Sequence, residues 1–148
     1  MAGLAHANKF QDLLVYQKAR GLAKEVFQLT AQFPRDEAFS LTSQMRRSSR
    51  SVGAQIAEAW AKRRYEKHFI SKLTDADGEQ METQHWLESA LDFGYASPGQ
   101  VAPLLAQCAE IGKMLGGIIA KAELFCKPDS LSVHEQQALY FVTTATDD

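Results

Sequence analysis

Residues Phe69 to Ala90 read FISKLTDADGEQMETQHWLESA, and this stretch decides the fold. Phe69, Leu73, Ala76, Gln80, Thr83, Leu87 and Ala90 recur at alternating steps of four and three. That spacing holds side chains on one stripe of a helix with 3.6 residues per turn. Followed outward, the pattern predicts a helix from about Tyr65 to Phe93, with Gly94 as its stop and Ser97-Pro98-Gly99 as a turn into a new start. Gln80 and Thr83 fall on the seam, so its middle is expected to be partly polar.

Three more seams flank this one. From about Asp12 to Gln32, Val15, Ala19, Leu22, Val26, Leu29 and Phe33 align; Asp12 is the expected cap, and Pro34 fixes the end because the residue before a proline avoids helical backbone. From about Phe39 to Lys62 the stripe is Leu41, Met45, Ser48, Val52, Ile56 and Ala59, with Gly53 inside it marking tight packing. From Pro98 to Phe125 it is Val101, Leu105, Cys108, Ile111, Leu115, Ile118, Ala122 and Phe125, and Gly112, Gly116 and Gly117 mark another close approach. No stretch shows the sustained period-two alternation of a sheet. Four long helices with short connections must run alternately up and down, so the fold class is all-α, an up-and-down four-helix bundle. The expected division is an N-terminal extension over 1–11, the bundle over 12–126, and a C-terminal tail over 127–148 that is either mobile or a short docking helix opened by Ser132 and Glu135.

The 148 residues are 45% apolar and 23% charged, with nine Gly and four Pro, which excludes collagen-like, low-complexity and wholly disordered chains. Met1 to Lys9 has no signal-peptide core and nowhere do about 18 apolar residues run together, so a cytoplasmic protein without membrane attachment is expected. Cys108 and Cys126 match neither a disulfide framework nor a zinc site, and are read as reduced, Cys108 as a small core residue.

Chemistry-bearing motifs are sparse. Glu82 and His85, with Glu79 one turn before, put a Glu-x-x-His on one helix face, as in di-iron bundles. Those sites need two such motifs and two further glutamates, so no metal and no cofactor is expected. Asp75 to Glu79 suggests a calcium loop, but its first and twelfth positions would be Leu73 and Gln84. No nucleophile elbow, phosphate loop or dinucleotide fingerprint is present, and no catalytic residue is assigned.

The arrangement of charge is more informative than its sum of -2. Arg46, Arg47, Arg50, Lys62, Arg63, Arg64, Lys67 and Lys72 face only Glu58 and Glu66 between residues 46 and 72, whereas 73–92 carries six acids and no Lys or Arg. Lys and Arg near a helix end complement its dipole and are ordinarily just solvated. Clustered beside Trp60 and Tyr65, they also suit phosphate contacts, and Arg46, Arg47, Arg50, Arg63, Arg64 and Lys67 are the candidate nucleic-acid-binding residues. Leu14 and Phe27 on the first helix and Ile70, Trp86 and Leu91 on the third lie off the seams and suggest subunit contacts.

Phe10, Leu13, Val15-Tyr16 and Ala19, Phe33-Pro34, Leu41 to Arg47, Ser51-Val52, Ile56-Ala57-Glu58, and Glu82-Thr83-Gln84 before Leu87 resemble the four-helix-bundle protein family, also called the 23S ribosomal RNA intervening-sequence protein family. The resemblance spans about Phe10 to Phe125. Gly53-Ala54-Gln55 and Ala59 depart from it, losing a proline, an asparagine and a glycine, so the second helix is expected to be straighter. Near Ala76-Asp77 the family's Gly-Ser pair is also absent. The chain further resembles the related accessory variability protein of diversity-generating retroelements. These resemblances imply a homopentameric ring, no enzymatic activity, and nucleic acid or another protein as partner. The leading expectation is therefore a non-enzymatic oligomeric accessory bundle with a basic binding surface; its rivals are a metal- or ligand-binding bundle centred on Glu79, Glu82 and His85, and a purely structural oligomer.

Overall fold

The computed structural model describes residues 7–126, and the expectations for the tail over 127–148 lie outside the described residues. All regular structure among those residues is helical: α1 (Leu14–Thr30), α2 (Leu41–Ala61), α3 (Glu66–Asp92), α4 (Pro98–Ala120) and a short α5 (Ala122–Cys126), with single 3₁₀ turns at Phe10–Asp12 and Arg35–Glu37. The long helices pack in a closed cycle, α1 on α2, α2 on α3, α3 on α4 and α4 back on α1, which makes a four-helix bundle.

The core follows the seams. Every seam residue of α1, α2 and α3 named from the sequence is buried, Gln80 and Thr83 included. Burial of the apolar members, at about 25 cal/mol per Å² removed from water, drives the assembly. The polar middle is satisfied rather than apolar: Ser48 Oγ and Thr83 Oγ1 lie 2.8 Å apart across the α2–α3 contact, and Gln80 Nε2 donates to Asp77 Oδ1 at 2.8 Å.

Several local expectations change. Asp12 does not cap α1; it ends a 3₁₀ turn and its carboxylate accepts the Asn8 and Lys9 N–H groups. On α4 the inward residue is Leu104 rather than Leu105, which is half-buried. The fourth helix also breaks at Lys121 (φ -118°, ψ 31°), so Phe125 belongs to α5, where it stacks on Phe69. Gly112 marks the close approach that was expected, since a Cβ there would meet Gln80 Nε2 at 2.8 Å. Gly116 and Gly117 have nothing within 4 Å, and a Cβ at Gly53 would meet Tyr16 only at ordinary contact distance, 3.5 Å.

The α3 terminus is as the sequence predicts. Gly94 takes φ +74°, its N–H reaches Leu91 O, and Tyr95 N–H reaches Ala90 O at 2.9 Å, the paired bonds of a Schellman ending. Ser97 then caps α4 in a reciprocal box with Gln100. Glu37 opens α2 by accepting from Ser40 Oγ and the Leu41 N–H; those bonds, with one from Tyr95 Oη, hold its carboxyl below the ordinary range. The described residues include no helix long and apolar enough to cross a membrane.

Candidate nucleic-acid interface

The six candidate residues divide between two places. Arg46, Arg47 and Arg50 lie along α2, while Arg63, Arg64 and Lys67 lie at the turn between α2 and α3.

Arg46 and Arg50, four residues apart, share the face of α2 turned toward Phe27 of α1, while Arg47 faces α3. Arg46 Nε donates to Thr30 Oγ1 at 2.8 Å and its guanidinium sits 4.4 Å over the Phe27 ring. Arg47 crosses to α3, where its two terminal nitrogens meet Glu79 and Glu82. That contact, with a further bond from Trp86 Nε1, holds the Glu82 carboxyl below the ordinary range and raises Arg47 in turn. Arg50 is exposed and reaches Phe27 only at 6.0 Å. It lines a surface groove of about 380 Å³ together with Arg20, Gly53, Ala54 and Ala57.

The turn is built around one arginine. Lys62 caps the end of α2, and Arg63 folds back so that its guanidinium lies 3.6 Å over the Trp60 ring while Nε donates to Trp60 O at 2.9 Å. Arg63 stands two residues beyond the last residue of α2, so the fold-back closes the turn over the helix end. Arg63 is thereby 9% exposed. Arg64 and Lys67 are exposed and make no side-chain hydrogen bond or ion pair among the described residues. Tyr65 between them is 58% exposed, with the His68 ring 5.4 Å away.

Residues 11–117 match the family described as 23S rRNA-intervening sequence protein. The chain belongs to that family. No curated protein matches it. A crystal structure of a protein of unknown function from the S23 ribosomal protein family of Bacteroides thetaiotaomicron is similar at 29% identity and a TM-score of 0.64, covering 72% of this chain and 98% of that one. The match to the 23S rRNA-intervening sequence protein family ends within α4, before the Lys121 break.

The rival constellation of Glu79, Glu82 and His85 lies on α3. Glu79 and Glu82 face Arg47, and His85 is exposed with its ring 4.7 Å from Trp86. No group of three His, Cys, Asp or Glu side chains among the described residues gathers as a metal ion requires. Cys108 is buried, which pushes its thiol up to about 12 and keeps it from thiolate chemistry. Of the off-seam apolar residues, Ile70, Trp86 and Leu91 pack partly against the core, whereas Leu14 and Phe27 are 57% and 47% exposed.

Topology adds residues that spacing does not reveal. The up-and-down path brings Lys9 and Lys121 to the end of the bundle that carries the α2–α3 turn, where the acids are Asp12, Glu58, Glu66 and Glu123, Glu58 lying near Lys62. The opposite end carries Asp36, Glu37 and Asp92 against Arg35.

Proposed function

We propose that this protein is a non-enzymatic accessory bundle that works as a homo-oligomer in the cytoplasm and contacts nucleic-acid phosphates through the α2–α3 turn, with Lys62, Arg64 and Lys67 as the contact residues. The observation that carries the reading is the solvent-facing state of Arg64 and Lys67 beside an exposed aromatic ring, on a turn that Arg63 and Trp60 stiffen. Arg46, Arg47 and Arg63 act in this reading as structural cations, and Arg50 as a secondary contact. With a net charge of -2 the chain as a whole offers no attraction, so binding depends on this local cluster. The family's description names 23S rRNA, which makes RNA the first probe to try.

The test is fluorescence anisotropy of labelled RNA at about 50 mM salt, where phosphate contacts are least screened. Wild type binds, and Arg64→Glu with Lys67→Glu abolishes binding while helicity and oligomer mass stay unchanged. Equal binding by the double variant, or no binding by the wild type, overturns the proposal.

A further inference from the structure

Exposed aromatic rings occur at both ends of the bundle. Phe39 and Phe93, 98% and 63% exposed, stand at the end with Asp36, Glu37 and Asp92, where a phosphate backbone would be repelled. Tyr65, 58% exposed, stands at the end with Lys62, Arg64 and Lys67. The other large ring of that turn, Trp60, has one face covered by the Arg63 guanidinium at 3.6 Å. Tyr65 is therefore the ring of this turn that remains open beside exposed cations.

We infer that the turn takes unpaired nucleic acid rather than duplex, with one base stacked on the Tyr65 ring and the flanking phosphates held by Lys62, Arg64 and Lys67. This rests on the reading of the turn as a phosphate-contacting surface and adds the form of the nucleic acid.

Bases inside an A-form helix are stacked on each other and cannot reach a protein ring, whereas unpaired bases splay and stack on Tyr, Phe, Trp or His. Duplex RNA is instead recognised by contacts that span successive grooves along its length. The cations of the turn itself, beside Tyr65, fall within six residues, Lys62 to Lys67, a footprint suited to a few consecutive phosphates of one strand. Glu66 is the one acid within that run and opens α3, while the Tyr65 ring touches His68.

The experiment compares a 12-nucleotide single-stranded RNA carrying one 2-aminopurine with the same strand annealed into a duplex, each titrated with the full chain. Wild type is expected to bind the single strand at least tenfold more tightly than the duplex and to change the 2-aminopurine emission as the base moves onto the ring. Tyr65→Ala should lose about tenfold for the single strand and nothing for the duplex, and Tyr65→Phe should retain both affinity and the emission change. Because Tyr65 precedes the first residue of α3, circular dichroism of both variants checks that the helix still forms. If the duplex binds as tightly as the single strand and Tyr65→Ala matches wild type, base stacking is wrong while the phosphate reading stands. If neither RNA binds a folded wild-type chain, both fall.

Discussion

The seam between α2 and α3 and the turn that joins them carry the same kinds of side chain for opposite purposes. On the seam, polar groups are consumed inside the chain: Ser48 meets Thr83, Gln80 meets Asp77 and Gln84, and Arg47 spans Glu79 and Glu82. At the turn, Arg63 alone is drawn in, over Trp60, and Arg64 and Lys67 point to solvent. A cation counted in the sequence is thus no guide to function until its partner is known. Where an acid lies across a helix contact the cation holds the fold, and where the opposing element has ended it is available to a ligand.

That contrast predicts a double dissociation. Leu87→Ala, on the seam and fully buried, should cost about 2–5 kcal/mol in urea unfolding and leave RNA affinity unchanged at temperatures where the variant is folded. The α4 side of the same helix gives a sharper pair. Gly112→Ala must displace Gln80 from its bonds and should cost about 1–3 kcal/mol, whereas Gly116→Ala, with open space around it, should gain up to about 1 kcal/mol from helix propensity. Differential scanning calorimetry showing the same sign for both would contradict the assigned contact.

Arg47→Ala comes next. Its side chain is 45% exposed, so solvent screening leaves the bridge worth only about 1 kcal/mol. Glu82 is held below its ordinary value of 4.5, first by Arg47 and then by Trp86, so this stabilisation is full above that pH and is lost as pH falls through the folded value. The difference in urea midpoint between wild type and Arg47→Ala should therefore be constant near neutrality and shrink below pH 4.5. The smallest expected change is in the stability of Arg64→Glu with Lys67→Glu, within about 0.5 kcal/mol of wild type by the same unfolding assay.

Much of the fold was legible because the α1, α2 and α3 seams are long and keep one period. The burial of Gln80 and Thr83 follows from that period alone. The Lys121 break was not legible: Ile118, Ala122 and Phe125 continue in register across it, and no glycine or proline stands there. Leu104 and Leu105 are adjacent, about 100° apart on a helix, and neighbouring packing chooses between them. Gly112, Gly116 and Gly117 look alike as residues, but only the face turned toward α3 gives the first its close contact. At the candidate site, the cluster was visible as charge along the chain. Its division was not, because Arg47 finds acids 32 and 35 residues away, a pairing set by helix register.

The salt dependence of RNA binding tests the division most directly, since each phosphate neutralised on a single strand contributes about 0.7 to the slope of log affinity against log salt. Measured by anisotropy from about 50 to 200 mM salt, Arg64→Ala and Lys67→Ala should each flatten the wild-type slope by about 0.7, and Arg47→Ala should leave it unchanged. A slope that Arg47→Ala flattens as much as Arg64→Ala does, or that Arg64→Ala and Lys67→Ala leave untouched, would contradict the assignment of the turn as the binding surface and the seam as structural.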